Sequence, residues 1–175
     1  ISDAAQANIA AISYHFGSKE NLRLEVARSV AAVMKNRGPR RATDHLNDDE
    51  IDQLTSDQAR EMIRCQVDNA LDPSNLGPLT EDILRFFHQE LTRETPVADV
   101  LFDGAMRSNH QRMCRLVARI NGEPWDSELT KVAAMLVFAQ VMLFKMTKPI
   151  AVRALDWTEV GDRERDLILK ALWLG

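Results

Sequence analysis

The first 25 residues restrict the fold most, because two short helical patterns stand there on either side of a tight connection and a third follows directly. The second pattern begins at Asn8, whose side chain can accept a hydrogen bond from a free backbone amide of the first turn. It ends before Gly17, a residue that commonly stops helices. Ser18 can then cap the next helix. This order predicts a helix-turn-helix arrangement near the start of the chain.

The second of these helices is suited to a DNA groove. Ala10 and Ala11 allow the backbone to approach base edges and can touch a thymine methyl group. Side chains with hydrogen-bonding or cationic groups follow, and Lys19 lies at the start of the next helix, where free amides attract phosphate. The residues predicted to contact DNA are Asn8, Ile9, Ala10, Ala11, Tyr14, His15 and Lys19. Periodicity alone is also compatible with an ordinary helical hairpin that has one polar face.

The order of residues from Asn8 to Leu22 resembles the recognition helix and the start of the fourth helix of TetR-type transcriptional repressors. The His-Phe pair, the Ser-Lys pair and the following Leu stand in register with that family. Gln6 replaces the usual turn glycine, and Ser13 replaces the first of two frequent tyrosines. The segment is similar more narrowly to the CecR-like subgroup, and residues 86–157 resemble that subgroup's C-terminal domain. The resemblance implies a ligand-responsive homodimer that binds a near-palindromic double-stranded DNA operator.

The rest of the chain predicts an all-α fold. Aromatic residues make up only 6%, glycine and proline are few, and strictly alternating strand patterns are absent. We expect a truncated helix-turn-helix domain over residues 1–41 and a larger effector-binding and dimerisation domain over residues 56–175. The helices of the second domain are predicted over residues 57–71, from 79 or 80 to 93, 97–120, from 126 or 127 to 147, 150–155 and 158–173. Because the chain opens within a helix and without methionine, we expect a first helix upstream.

The charge is distributed unevenly along the chain. Residues 1–41 carry a net charge of +4, whereas the whole chain carries −4. A basic end on an acidic body fits a DNA-binding domain joined to a ligand or partner domain. The polar, acidic stretch 44–57 is interpreted as a solvated connection between them; the alternative is a segment that guards or mimics DNA.

The helix predicted over residues 127–147 is apolar on nearly every side, so it must be buried on nearly every side. One side can pack within its own domain and another against a second copy of the chain, with further apolar surface from the last helix. A wholly intramolecular core helix is the other interpretation. Gln140, an amide within this apolar helix, can bond across the dimer, to a core carbonyl group, or to an effector.

Effector binding is predicted from apolar side chains with few polar groups, as is common in small-molecule sites. The candidates are Phe86, Phe87, Phe102, Met106, Met113, Gln140 and Phe144. Core packing is the alternative for each aromatic or methionine residue. His88 and His110 are further candidates, with surface or structural roles as their alternative.

Other classes of protein lack support in the sequence. None of the four histidines has glutamate three residues before it, and no nucleotide-binding or nucleophile motif is present. We therefore predict no catalytic residue, metal or cofactor, and Cys65 and Cys114 are interpreted as buried thiols. The longest apolar run, 132–144, is too short to cross a bilayer, so a cytoplasmic protein without a membrane partner is expected. A helical adaptor without specific DNA binding remains the alternative function.

Overall fold

The computed structural model describes residues 14–37, 42–72 and 80–172, and all regular secondary structure in these ranges is helical. The predicted all-α class is therefore confirmed. The α-helices are α1 (Lys19–Arg37), α2 (Asp48–Asp52), α3 (Ser56–Leu71), α4 (Thr80–Leu91), α5 (Pro96–Leu101), α6 (Arg107–Asn121), α7 (Glu128–Met146), α8 (Lys148–Ala154) and α9 (Asp162–Ala171). A π-helical segment, Phe102–Met106, joins α5 to α6.

Local capping explains where several helices begin. The Thr55 side chain accepts a hydrogen bond from the Gln58 amide, and the Gln58 side chain accepts one from the Thr55 amide. This reciprocal pair starts α3 one residue earlier than the predicted first residue, Asp57. At the other end of a helix, Gly122 has a φ of +74°, as expected for a glycine that stops α6.

The predicted helix over residues 97–120 is interrupted by the π segment. An ideal Cβ placed on Gly104 would lie 2.7 Å from the Cβ of Ala31 on α1. The glycine thus permits a close approach between the π segment and α1, a long-range contact that helical periodicity does not reveal.

Two further helix limits differ from the prediction. Helix α8 was expected to begin at 150, after Pro149, but it begins at Lys148, because proline fits the first turn of a helix, where its missing amide hydrogen costs nothing. The preceding helix was expected to end at 147, before Pro149, and α7 does end there, with Met146 as its last residue and Thr147 as its C-cap. The last helix begins at Asp162 and not at Thr158, because the Gly161 amide donates to the Glu164 side chain over 3.2 Å and starts the helix there.

The chain forms two compact units, and each unit is discontinuous in sequence. The first contains residues 1–38 and 78–107, and α1 packs there against α4, α5 and the π segment. The buried core of this unit consists of Ala27, Val30, Phe87, Val97 and Leu101. Because this grouping follows packing and not order along the chain, the predicted domain limits 1–41 and 56–175 stay predictions.

The second unit contains residues 39–77 and 108–175, and α3 packs there against α7 and α9. Its core combines apolar faces from α3, α6, α7 and α9 with one residue from the short helix α2. Central buried members are Ile51, Ile63, Val67, Leu116 and Val137.

The acidic stretch is better ordered than a solvated connection. Within it, α2 places Ile51 fully inside the core of the second unit. The Asp48 carboxylate lies 3.3 Å from the Arg115 guanidinium, and Asp52 also pairs with Arg115. The interpretation of this acidity as solvation alone is therefore wrong, since part of the negative charge faces cations of α6.

Candidate nucleic-acid interface

The turn that precedes α1 is fixed by hydrogen bonds from both sides. The Asn21 amide donates to Oγ of Ser18 over 3.1 Å, which caps the helix as the sequence predicts. The Asn21 side chain donates to the carbonyl oxygen of Phe16 over 2.9 Å. Gly17 lies between Phe16 and Ser18 and has a φ of +72°, a conformation that favours glycine. The described end of the preceding helix, residues 14–16, is thereby held against the start of α1.

Three of the residues predicted to contact DNA lie beside this turn and are exposed. Tyr14 is 86% exposed, and its ring lies edge-on to the His15 ring with 5.3 Å between ring centroids. Lys19 occupies the first position of α1 and is also exposed. A phenol, an imidazole and an ammonium group beside a helix start are groups that can hold phosphates. Asn8, Ile9, Ala10 and Ala11 lie outside the described residues.

The arginines of α1 do not all contribute free positive charge. Nη2 of Arg23 lies 2.6 Å from both carboxylate oxygens of Glu90, and Arg28 pairs with Glu25 on the same helix. The Arg23–Glu90 pair joins residues 67 positions apart, so no local pattern in the sequence could have indicated it. Lys19, in contrast, has a free ammonium group at the turn, since no ion pair to it occurs among the described residues.

The predicted effector residues divide between the two units. Phe86, Phe87 and Met106 belong to the apolar cluster of the first unit, where Phe102 lies under the Arg107 guanidinium at 5.1 Å. Met113 and Phe144 belong to the cluster of the second unit, where Phe144 stacks on Trp157 with 6.3 Å between ring centroids. These contacts are of the kind expected from core packing, and the assignment of an effector site stays a prediction.

Gln140 is half-buried and uses its amide within its own helix. Its Nε2 donates to the carbonyl oxygen of Leu136, one turn earlier, over 3.3 Å. The side-chain oxygen stays available for another donor, since no hydrogen bond to it occurs among the described residues. Near the end of the same helix, burial lowers the pKa of the Lys145 ammonium group.

One face of α7 is apolar and exposed in the single chain. Its exposed side chains range from 45% to 61% accessible and are Leu129, Val132, Met135, Leu136 and Leu143. The opposite face, with Thr130, Ala134, Val137 and Val141, is buried in the second unit. No single described helix has the length and hydropathy to cross a membrane; the sharply bent pair Glu128–Lys145 and Lys148–Ala154 meets that test only when both are counted together.

The two cysteines differ, and one prediction about them is wrong. Cys114 is buried, and this burial raises the pKa of its thiol, but Cys65 is exposed on α3. Position 65 falls on the outer face of an amphipathic helix whose inner face holds Ile63 and Val67. In the described ranges, no three His, Cys, Asp or Glu side chains come together as a metal site.

Comparison with known proteins gives one family. Residues 59–172 match the C-terminal domain of the HTH-type transcriptional dual regulator CecR. No curated protein sequence matches the chain. The matched segment covers α4 to α9 and most of α3, which includes the exposed apolar face of α7.

Proposed function

Because the chain belongs to the TetR-type transcriptional regulators that carry a CecR-type C-terminal domain, we propose that it is a ligand-responsive homodimeric repressor of a near-palindromic operator. The observation that carries DNA binding is the exposed group of Tyr14, His15 and Lys19 beside a turn fixed by Asn21. In this proposal the helix that ends at Phe16 enters the major groove, with Ile9, Ala10 and Ala11 towards the bases. The protein acts on DNA in the cytoplasm and is not an enzyme.

The proposed roles of Lys19 and Ala10 can be distinguished by how the affinity for DNA depends on salt concentration and on base sequence. Lys19→Ala should weaken binding to every duplex and flatten the dependence of affinity on salt, by about 0.9 in the log–log slope for each phosphate that the lysine neutralises. Ala10→Gln should change which base pairs are preferred and leave that slope unchanged. Lys170→Ala, an exposed lysine of α9, is the matched control for removal of one positive charge. Equal losses of affinity on all duplexes from both Lys19→Ala and Ala10→Gln would refute the assigned roles.

The exposed face of α7 supports the homodimer. One face of α7 is buried in the second unit, whereas its other face is apolar and exposed to water in the single chain. Such an exposed apolar face favours binding to a second copy of the chain, because a symmetric interface pairs one surface with itself. Two recognition helices about one DNA turn apart can then read two half-sites.

Leu136→Glu tests this interface. A buried, unpaired carboxylate would be costly in the dimer, whereas the single chain already exposes this position. Sedimentation should show two chains per particle for the natural protein and one for the variant. Gln111→Glu on α6 adds the same charge at an exposed position and should stay dimeric. A dimer unaffected by Leu136→Glu would place the interface elsewhere.

The response to an effector follows if a small molecule binds better to a conformation in which the recognition helices are wrongly spaced, because a ligand shifts an equilibrium only through differential affinity. The candidate residues can be tested as two sets, Phe86, Phe87, Phe102 and Met106 in the first unit, and Met113, Gln140 and Phe144 in the second. Dimers crosslinked at fixed spacing should keep DNA when the effector binds. Release from such dimers would contradict the mechanism.

A further inference from the structure

The ion pair between Arg23 and Glu90 is the least accessible of those in the described part of the first unit. The Glu90 side chain is 5% exposed and the Arg23 side chain is 29% exposed. Both carboxylate oxygens lie 2.6 Å from the same guanidinium nitrogen, so the carboxylate is held as a whole. A carboxylate buried to this extent is stable only while its cationic partner stays in place.

The pair ties α4 to the end of α1 that carries the predicted phosphate contacts. Lys19 and Arg23 are four residues apart on α1, so they lie on the same face in consecutive turns. The apolar packing of α1 begins in its second turn, at Leu24, and continues through Ala27 and Val30 against α4, α5 and the π segment. Those apolar contacts are non-directional, whereas the ion pair requires one geometry and so restrains how α1 is rotated about its axis and shifted along it.

Arg23 is also poorly placed to serve DNA itself. Its charge is compensated by Glu90, and a phosphate would have to compete with a buried carboxylate already at hydrogen-bonding distance. Arg28, on the same helix, is different, since its pair with Glu25 is about half exposed on both sides. Exposed pairs of this kind contribute about 0.2–1 kcal/mol and hold little in place.

We propose that Glu90 is a positioning residue for DNA binding: through Arg23 it fixes the first turns of α1, and with them Tyr14, His15 and Lys19, while Arg23 makes no phosphate contact. The proposal rests on the proposed DNA-binding function. It places a determinant of operator affinity on α4, far from the helix-turn-helix in sequence.

The test uses the full-length protein, the duplex from the intergenic region upstream of its own gene, and a shuffled duplex of equal length. Fluorescence anisotropy measures affinity for both at several salt concentrations. Glu90→Gln keeps the shape of the side chain and removes its charge. It should weaken binding to the native duplex about tenfold, within the 5- to 150-fold range typical of coupled sites, and leave the salt slope unchanged. Arg28→Gln, the control on the same helix, should stay within about twofold.

The second variant, Arg23→Met, separates positioning from direct contact. If Arg23 positions α1, Arg23→Met in the Glu90→Gln background weakens binding by less than a further twofold or so, because the pair is already broken. If Arg23 contacts phosphate, Arg23→Met weakens binding equally in both backgrounds and lowers the salt slope by about 0.9 for each phosphate concerned, which would overturn the proposal. Native-duplex affinity unchanged by Glu90→Gln would overturn it as well.

A third variant covers the case in which a broken pair unfolds the first unit. Arg23→Met with Glu90→Leu replaces both charges by apolar side chains, an exchange that buried ion pairs often tolerate. This variant should fold and yet bind the native duplex about tenfold more weakly than the natural protein, as Glu90→Gln does, since non-directional apolar packing does not restore the geometry that the pair imposes. A folded variant that binds within about threefold of the natural protein would count against positioning by the pair. Failure of the proposed function is recognised separately, because the natural protein itself would then not distinguish the two duplexes.

Discussion

Gly104→Ala tests the close packing of the π segment on α1. The added Cβ would lie 2.7 Å from the Cβ of Ala31, about 1 Å inside the distance at which carbon atoms attract each other best. Overpacking of this kind costs about 1–3 kcal/mol. Alanine is more favourable than glycine in a helix by about 1 kcal/mol, which offsets part of the cost. The expected net decrease in the free energy of unfolding is therefore about 1 kcal/mol.

Urea unfolding followed by far-ultraviolet circular dichroism measures this decrease. With a slope of about 2 kcal/mol per molar urea, the midpoint should fall by about 0.5 M. Ala31→Gly removes the opposing methyl group, so Gly104→Ala in that background should no longer destabilise and should instead contribute up to about 1 kcal/mol. The two substitutions should thus be non-additive by about 1–3 kcal/mol, the cost of the overpacking itself.

Gly122→Ala is the control for this cycle, because Gly122 has a φ of +74° and no atom within 4 Å of the added Cβ. Its cost comes from backbone strain, so Ala31→Gly should leave it unchanged. If Gly104→Ala costs the same with and without the Ala31 methyl group, the proposed contact between the π segment and α1 is refuted.

Four further predictions concern the second unit. Arg112→Met should lower the free energy of unfolding by about 2–3 kcal/mol, because Arg112 donates to the carbonyl oxygens of Thr43 and Leu46, which are then left without this donor; a decrease under about 0.5 kcal/mol in urea unfolding would contradict this. A thiol-specific reagent should modify exposed Cys65 quickly and buried Cys114 only as the protein opens. Burial raises the pKa of Cys114, so the native state holds the thiol proton more tightly than the unfolded state does. The free energy of unfolding should therefore be constant with respect to this group below the ordinary thiol pKa of about 8.5 and should decrease above it. Cys114→Ala should remove that alkaline decrease in stability, and an unchanged pH dependence would show that another group causes it. Asp156 has a φ of 53°, so Asp156→Gly should raise the thermal midpoint by relieving about 1 kcal/mol of backbone strain, and a lower midpoint would show that the carboxylate has a stabilising contact.

The sequence predicted those features of the fold that depend on neighbouring residues. Ser18 and Gly17 stand where the turn before α1 requires a cap and a left-handed residue, and Gly122 ends α6 as expected. Pro149 follows the end of α7 as expected, but it did not indicate that α8 begins before it, at Lys148, because proline fits the first turn of a helix as well as it ends one.

Features that depend on distant residues could not be predicted in the same way. In the sequence, Glu90 cannot be distinguished from other acidic residues of an amphipathic helix, because its burial against Arg23 depends on the packing of α4 on α1. Asp48 and Asp52 read as solvated until α6 places Arg115 beside them. The effector candidates were selected by residue type alone, and residue type does not determine which of two apolar clusters a side chain joins.

Binding of the full-length protein to its own upstream intergenic DNA tests the central claim most directly. Anisotropy titrations at two salt concentrations, with the native duplex and a shuffled duplex, give affinity, stoichiometry and sequence preference together. The account predicts saturable binding of one dimer per site, a clear preference for the native duplex, and weaker binding at higher salt. Equal affinity for both duplexes would contradict it and would favour a helical adaptor without specific DNA binding.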